Sequence, residues 1–67
     1  MRFGDRVLGE LGKRDRTSTW LADRARLNRN TVYSVCAGHN RPTLRTALRM
    51  ADALGVDIGE LCKGVDR

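Results

Sequence analysis

Four polar side chains lie at helical spacing in the middle of the chain: Arg29, Asn30, Tyr33 and Ser34. Residues three or four positions apart share one face of an α-helix, so these side chains are predicted to project together. Val32 and Val35 fall on the opposite face and are expected to be buried. The exposed face then presents guanidinium, amide, phenol and hydroxyl groups, which donate and accept hydrogen bonds. The pattern predicts a helix that binds a hydrogen-bonding partner.

Residues 18–37 are predicted to form two short helices joined by a tight corner. Asn28 is a suitable N-cap for the second helix, and Gly38 lies where a helix commonly ends in a left-handed residue. Thr17 is expected to cap the first of the two helices in the same way. Ala22 supplies the small residue that two steeply crossing helices need where they touch.

The chain resembles the lambda repressor and Cro family of helix-turn-helix proteins, the XRE type. The resemblance rests on Leu21 and Ala22, the run NRNTVYSV at 28–35, Gly38, Pro42 and the run TLRTALRMADALGV at 43–56. It covers nearly the whole chain and implies a compact all-α domain of five helices, with the helix-turn-helix in helices 2 and 3. We therefore expect one DNA-binding domain over residues 1–67, with the motif at 18–37 and fraying at 64–67.

Three further helices are predicted around this pair. The first covers residues 2 to about 13 and has four apolar residues at helical spacing: Phe3, Val7, Leu8 and Leu11. The fourth follows Thr43 and is expected to bury four residues: Leu44, Leu48, Ala51 and Leu54. A capping box of Asp57 and Glu60 predicts a short fifth helix.

The net charge of +5 is distributed unevenly along the chain. No acid occurs between residues 24 and 49, where six arginines lie: Arg24, Arg26, Arg29, Arg41, Arg45 and Arg49. A basic surface concentrated on one motif is typical of a protein that binds a polyanion, although a solvated arginine-rich surface gives the same count. Its coincidence with the helix-turn-helix favours double-stranded DNA as the partner.

The resemblance implies that the helix from about 29 to 37 enters the major groove and meets base edges. Its candidate base-reading residues here are Arg29, Asn30, Tyr33 and Ser34. Arg29 could bind guanine O6 and N7, Asn30 could pair with adenine N6 and N7, and Tyr33 could contact a thymine methyl or a phosphate. The alternative for Arg29 is contact with phosphate or solvent alone.

Phosphate contacts are expected from the start of the first motif helix, from the second helix and from the loop after it. The candidates are Thr17, Ser18, Thr19, Thr31, Asn40, Arg41 and Thr43. These contacts would set the register of the protein on DNA. The alternative for the Thr17 hydroxyl is helix capping alone.

A homodimer, at least on DNA, would match a palindromic operator. The candidate dimer surface is Val56, Ile58, Leu61 and Val65, although the core could consume these side chains and monomeric binding stays open. Trp20 is expected either to fold against the first helix or to contact DNA backbone or a partner protein.

The chain departs from the family pattern at two places. The corner usually has glycine where this chain has Arg26, so the backbone there either avoids a positive φ or accepts strain. The family also often pairs an arginine late in the first helix with a glutamate near the end of the recognition helix. Leu11 and Cys36 stand at those positions, so both ion-pair partners are replaced together by apolar groups, which can be neutral or stabilising.

No metal, cofactor or catalytic site is expected. Cys36 and His39 form a CxxH pattern with Cys62 as a conceivable third ligand, but a fourth is lacking and Cys36 suits a core position. A disulfide between the cysteines is not expected in a cytosolic protein. The single histidine has no evident nucleophile partner and no glycine-rich phosphate loop occurs, so we expect a protein that is not an enzyme.

These observations predict a sequence-specific DNA-binding transcriptional regulator, a repressor, located in the cytoplasm and associated with the nucleoid. The chain has no apolar run long enough to span a membrane. The alternatives are a protein-interaction module, such as the antitoxin of a toxin and antitoxin pair, and the DNA-binding fragment of a longer repressor.

Overall fold

The computed structural model describes residues 1–65, which form five α-helices and no strand. The helices are α1 (Phe3–Lys13), α2 (Ser18–Ala25), α3 (Arg29–Cys36), α4 (Leu44–Leu54) and α5 (Ile58–Leu61). The predicted all-α architecture of five helices is confirmed. The expected fraying of residues 66 and 67 lies outside the described residues, and Val65 still donates its N–H to the Cys62 carbonyl at 3.0 Å.

The predicted N-caps of three helices are present. Thr17 Oγ1 accepts the Trp20 N–H at 3.1 Å, Asn28 Oδ1 accepts the Asn30 N–H at 2.8 Å, and Thr43 Oγ1 accepts the Thr46 N–H at 3.2 Å. Each cap satisfies a backbone donor that the first turn of a helix leaves without an internal partner. The starts of α2, α3 and α4 are therefore determined locally.

The capping box predicted for α5 is half present. Asp57 Oδ2 accepts the Gly59 N–H at 2.9 Å, which caps the helix. Glu60 contributes its backbone carbonyl instead, which accepts a hydrogen bond from Arg6 Nη2 at 2.7 Å. This bond joins α1 to α5.

The core is built around α2, which packs against both α3 and α4. Its cluster of buried residues is Val7, Leu11, Leu21, Ala22, Val32, Val35, Cys36, Met50, Ala51, Leu54 and Leu61. Ala22 is fully buried, as expected of the small residue where α2 and its partners meet. Leu11 and Cys36 both belong to this cluster, so both positions of the family's ion pair are core positions here.

Two leucines of α4 do not lie where the sequence pattern placed them. Leu44 is 71% exposed and Leu48 is 41% exposed, whereas Ala47 and Met50 are buried beside Ala51 and Leu54. The buried face of α4 consists of positions 47, 50, 51 and 54. On a helix of 3.6 residues per turn, positions 44 and 48 are rotated by about a quarter turn from the centre of that face. The prediction that Leu44 and Leu48 are buried was wrong.

Gly4 is required where α1 meets the end of α3. A Cβ atom at this position would collide with the backbone carbonyls of Val35 and Cys36. Gly9 lies in the same helix with nothing within 4 Å of a Cβ atom. Glycine lowers helix propensity at both positions, so the sequence pattern alone does not distinguish Gly4 from Gly9.

We expect Gly4→Ala to destabilise the fold by about 1–3 kcal/mol, because backbone carbonyls must move to admit the methyl group. Gly9→Ala is the matched control, and we expect it to stabilise by about 0.5–1 kcal/mol through helix propensity. Urea unfolding followed by circular dichroism measures both changes. Equal effects of the two substitutions would contradict the close approach of α1 and α3.

Helix α1 buries Glu10, while Leu8, one of its four apolar residues at helical spacing, is exposed. The Glu10 carboxylate accepts hydrogen bonds from Arg14 at 2.8 Å, from Lys13 at 3.1 Å and from Arg6 at 3.3 Å. Three cations around one carboxylate satisfy a charge that would otherwise be costly to bury.

The hydrogen bonds from Arg14 and Lys13 lower the pKa of Glu10 from its ordinary value of 4.5, against the opposite effect of burial. A carboxyl group whose pKa is lower in the folded state stabilises the fold above its unfolded pKa. That contribution disappears as pH falls through the folded pKa.

Glu10→Gln should therefore destabilise the protein by about 1–3 kcal/mol at neutral pH, the range for losing hydrogen bonds to a charged group. The difference from the native protein should shrink as the pH falls below the unfolded pKa, because the Glu10 carboxyl of the unfolded chain is then protonated first, and the difference should be lost once folded Glu10 is protonated too. Thermal unfolding at a series of pH values measures the difference, with exposed Glu60→Gln as control. A difference that stayed constant down to pH 3 would contradict this role.

Candidate nucleic-acid interface

Helix α3 separates its polar and apolar residues as the sequence predicted. Val32 and Val35 are buried, whereas Arg29, Asn30, Thr31 and Tyr33 are exposed. Ser34 is half-buried, so it is the least accessible of the four predicted base-reading residues. The start of α3 therefore presents a guanidinium, an amide and a hydroxyl group to the surroundings.

The corner between α2 and α3 accepts a left-handed backbone at a residue other than glycine. Arg26 has φ 57° and ψ 44°, and the Leu27 N–H returns to the Ala22 carbonyl at 2.9 Å. The structure thus resolves the alternative in the sequence: the positive φ is kept and strain of about 1–3 kcal/mol is accepted. Arg49 Nη1 approaches the Arg26 carbonyl at 3.5 Å and supports the corner from α4.

A second left-handed residue, Asp15, lies between α1 and α2 with φ 54°. The Arg16 N–H donates to the Leu11 carbonyl at 3.0 Å across this turn. The sequence analysis did not predict this left-handed residue. The available signal was an aspartate just after the expected helix end, since Asp tolerates the left-handed region better than most residues.

Two polar side-chain contacts join the exposed faces of α2 and α3. The hydroxyl oxygens of Thr19 and Tyr33 lie 2.6 Å apart. Arg29 Nη2 lies 3.4 and 3.5 Å from the carboxylate oxygens of Asp23. The structure thus brings one predicted phosphate-binding residue to a predicted base-reading residue, and it adds Asp23, which sequence reasoning did not include.

The other predicted phosphate-binding residues differ in exposure and in whether their side chains already make hydrogen bonds. Thr17 Oγ1 acts as the cap of α2, and Thr43 Oγ1 both caps α4 and donates to Thr46 Oγ1 at 3.1 Å. Ser18 is half-buried and its hydroxyl donates to Cys36 Sγ at 3.8 Å. Thr31, Asn40 and Arg41 are exposed. Thr17 and Thr43 are exposed and cap α2 and α4, so their hydroxyls lie at helix starts, where backbone N–H groups favour the binding of anions.

All six arginines between residues 24 and 49 are exposed: Arg24, Arg26, Arg29, Arg41, Arg45 and Arg49. They lie on α2, the corner, α3, the following loop and α4. Exposed cations on the motif and the elements beside it produce a positive potential that attracts a polyanion.

Trp20 packs against the edge of the core and is half-buried. The guanidinium carbon of Arg16 lies 5.1 Å from the centroid of the Trp20 ring, within the range of a cation–π contact. This agrees with a ring folded onto the protein, with Arg16 covering it.

The predicted dimer surface needs one correction. Leu61 is 0% exposed and belongs to the core, as the one fully buried residue of α5, which packs against α1 and α4. Val56 and Ile58 are partly buried against the core, and Val65 is half-buried. Val65 also lines a groove of about 630 Å³, together with Phe3, Leu44 and Cys62.

Both cysteines are free thiols. Burial raises the pKa of Cys36, while the Ser18 hydroxyl acts in the opposite direction. Within residues 1–65 no group of three His, Cys, Asp or Glu residues is placed to hold a metal ion. No helix in this range is long and apolar enough to cross a membrane.

Two short helices joined at a left-handed corner, with an exposed polar face on the second and exposed arginines along the motif, are typical of the helix-turn-helix class of DNA-binding domains. The helix-turn-helix family model, of the lambda repressor-like type, matches residues 11–61, and the chain belongs to this family. The family consists of DNA-binding domains and not of enzymes. A search of curated proteins finds none with significant similarity to this chain.

Proposed function

We propose that this protein is a sequence-specific regulator of transcription that binds double-stranded DNA through α3 and represses by occupying an operator. The observation that carries the proposal is the separation of faces on α3, where Arg29, Asn30 and Tyr33 are exposed while Val32 and Val35 are buried. A helix with buried valines on one face and hydrogen-bonding groups on the other matches the size and chemistry of the major groove.

Arg29 and Asn30 are the leading base-reading residues, because they lie at the exposed start of α3. Arg29 is suited to guanine O6 and N7, and Asn30 to adenine N6 and N7. Tyr33 has its hydroxyl engaged by Thr19, so its ring is better placed to contact a thymine methyl than its hydroxyl is to reach a phosphate. Ser34 is half-buried, so it would contact a base only if the DNA approaches α3 closely.

Register on the DNA would come from phosphate contacts on both sides of α3. Thr17 and Thr19 lie in the first turn of α2 or at its cap, while Asn40, Arg41 and Thr43 lie in the loop before α4. Thr31 adds an exposed hydroxyl on α3, and the backbone N–H groups at Ser18 complete the start of α2. Such contacts position the protein without reading sequence.

A two-fold dimer on a palindromic operator would place two copies of α3 in major grooves on the order of 34 Å apart. The surface proposed for this contact is Val56, Ile58 and Val65, without the buried Leu61. Binding as a monomer is the alternative outcome. With DNA as its partner, the protein would act in the cytoplasm at the nucleoid.

The test is selection of bound sequences from a random duplex pool, repeated at two salt concentrations. We expect an enriched palindrome with binding that weakens steeply as salt rises, because phosphate contacts release counterions. An enriched single half-site would support monomeric binding. Weak salt-sensitive binding with no enriched sequence would contradict a sequence-specific regulator.

A protein-interaction module, such as an antitoxin, is the second candidate. The observation that favours it is the apolar surface of Leu44 and Leu48, which lie one helical turn apart and are 71% and 41% exposed. Stable co-purification of a second protein that is lost in Leu44→Ser would support this candidate. The same surface would serve a missing dimerisation part if the chain is the DNA-binding fragment of a longer repressor.

A further inference from the structure

The two contacts between the exposed faces of α2 and α3 have the same four-residue spacing on both helices. Thr19 and Asp23 are four residues apart on α2, and Arg29 and Tyr33 are four residues apart on α3. Residues four apart lie one above the other on one helix face, so the two pairs form successive links between exposed faces. Both α3 members, Arg29 and Tyr33, belong to the proposed base-reading set.

Asp23 is the single acid in the sequence between residues 16 and 51. Its side chain is 63% exposed and that of Arg29 is 59% exposed. Ion pairs this exposed contribute little to folding stability, because water already solvates both charges. The fold therefore gives no reason for a carboxylate at this position, and near DNA a carboxylate repels phosphate.

The contact engages only one end of the guanidinium. Nη2 of Arg29 approaches both carboxylate oxygens of Asp23, at 3.4 and 3.5 Å. Arginine has five N–H donors in a fixed plane, and Nη2 carries two of them. One Nη2 N–H directed between the two carboxylate oxygens leaves the other to act with the neighbouring N–H of Nη1 or Nε in two parallel hydrogen bonds. Guanine accepts such a pair through O6 and N7.

We propose that Asp23 determines specificity by positioning Arg29: it holds the guanidinium through Nη2 and directs its free donors toward a guanine instead of a phosphate. The proposal rests on the proposed function and names a specificity-determining residue in it. Two effects act together. The hydrogen bonds restrict the orientation of the guanidinium, and the negative charge makes the neighbourhood of Arg29 less attractive to the phosphate backbone.

Removal of the Asp23 carboxylate should have opposite effects on affinity for unrelated duplexes and on discrimination within the selected duplex. Removal of the carboxylate should strengthen binding to unrelated duplexes by about two- to fivefold, because phosphate repulsion is lost. It should weaken discrimination at the guanine read by Arg29 by about tenfold, because the guanidinium becomes free to contact phosphate. A purely structural role would lower binding to all duplexes alike.

The experiment starts from the duplex that the native protein selects. The guanine read by Arg29 is the position at which Arg29→Ala loses its preference. Dissociation constants are then measured by fluorescence anisotropy for the selected duplex, for the three substitutions at that position and for an unrelated duplex. The proteins are native, Asp23→Ala, Arg29→Ala and the double variant. Asp52→Ala is the control, because it removes an exposed aspartate from α4 with the same change of net charge.

We expect Asp23→Ala to lose discrimination at that one position and to gain affinity for the unrelated duplex, with an unchanged melting temperature. In the Arg29→Ala background, Asp23→Ala should leave discrimination unaltered. Discrimination equal to native in Asp23→Ala, or an equal loss in Asp52→Ala, would overturn the positioning role while leaving sequence-specific binding intact. Failure of the native protein to select any sequence would instead overturn the proposed function and this inference with it.

Discussion

Arg29→Ala is expected to weaken binding to the selected duplex by about 1–3 kcal/mol and to relax preference at one base position. Arg29 is the first residue of α3 and its side chain is exposed, which suits contact with a base edge. Loss of a bidentate contact removes discrimination at the base concerned and leaves the other positions selective. Dissociation constants across single-base variants of the duplex measure this pattern.

Arg41→Ala is the matched comparison, because it removes an equal charge from the exposed loop before α4. We expect it to weaken all sequences alike and to reduce the salt slope by about one, as for a lost phosphate contact. Identical behaviour of the two variants across the duplex series would contradict the division between reading and positioning residues. Uniform weakening by Arg29→Ala would assign Arg29 to phosphate, the alternative that the sequence left open.

Leu11→Arg is expected to destabilise the fold by about 3–5 kcal/mol, because it places an unpaired charge in the core. Leu11 is buried in the cluster that joins α1 to α3. Leu8→Arg is the control, since Leu8 is exposed on the same helix and should tolerate the charge. Urea unfolding at low temperature is suitable, because so small a domain has little stability to lose.

Adding Cys36→Glu to Leu11→Arg should recover part of the loss. The two positions are those where related domains often carry an ion pair, and both side chains are in the core here. A restored pair would satisfy the arginine, so the double variant should be more stable than the sum of the two single losses predicts. Additive losses would contradict a contact between positions 11 and 36.

The local features of the fold could be predicted because they depend on short stretches of sequence. Thr17, Asn28 and Thr43 cap their helices through bonds to residues two or three positions later. The buried face of α3 followed from the spacing of Val32 and Val35. Neither kind of feature requires knowledge of how the helices pack.

The errors concern packing between helices. Leu44 and Leu48 lie at helical spacing from Ala51 and Leu54, yet α4 packs with Ala47, Met50, Ala51 and Leu54 inward, which leaves the two leucines exposed. Glu10 is buried because three cations from its own helix surround it, a compensation that an apolar pattern does not register. Leu61 was included in the candidate dimer surface, with burial in the core left open, because a four-residue helix has too short a pattern to show its inward face.

The side-chain contacts within the candidate interface could not be predicted from the sequence either, because they too depend on how the helices pack. The pairs of Thr19 with Tyr33 and of Asp23 with Arg29 join residues 14 and 6 positions apart, on helices whose crossing the sequence does not specify. The residues that face the proposed partner could be predicted from helical periodicity. Which of them orient one another could be found only from the relative placement of α2 and α3.

The most direct measurement of the central claim is the change in amide chemical shifts when the isotope-labelled protein is titrated with its selected duplex. If α3 enters the major groove, the large changes should fall at residues 17–19, at 28–34 and at 40–43. Residues of the α1 face around Leu8 and Gly9 should change little. Large changes confined to the surface of Leu44 and Leu48, with residues 28–34 unaffected, would contradict DNA binding through α3.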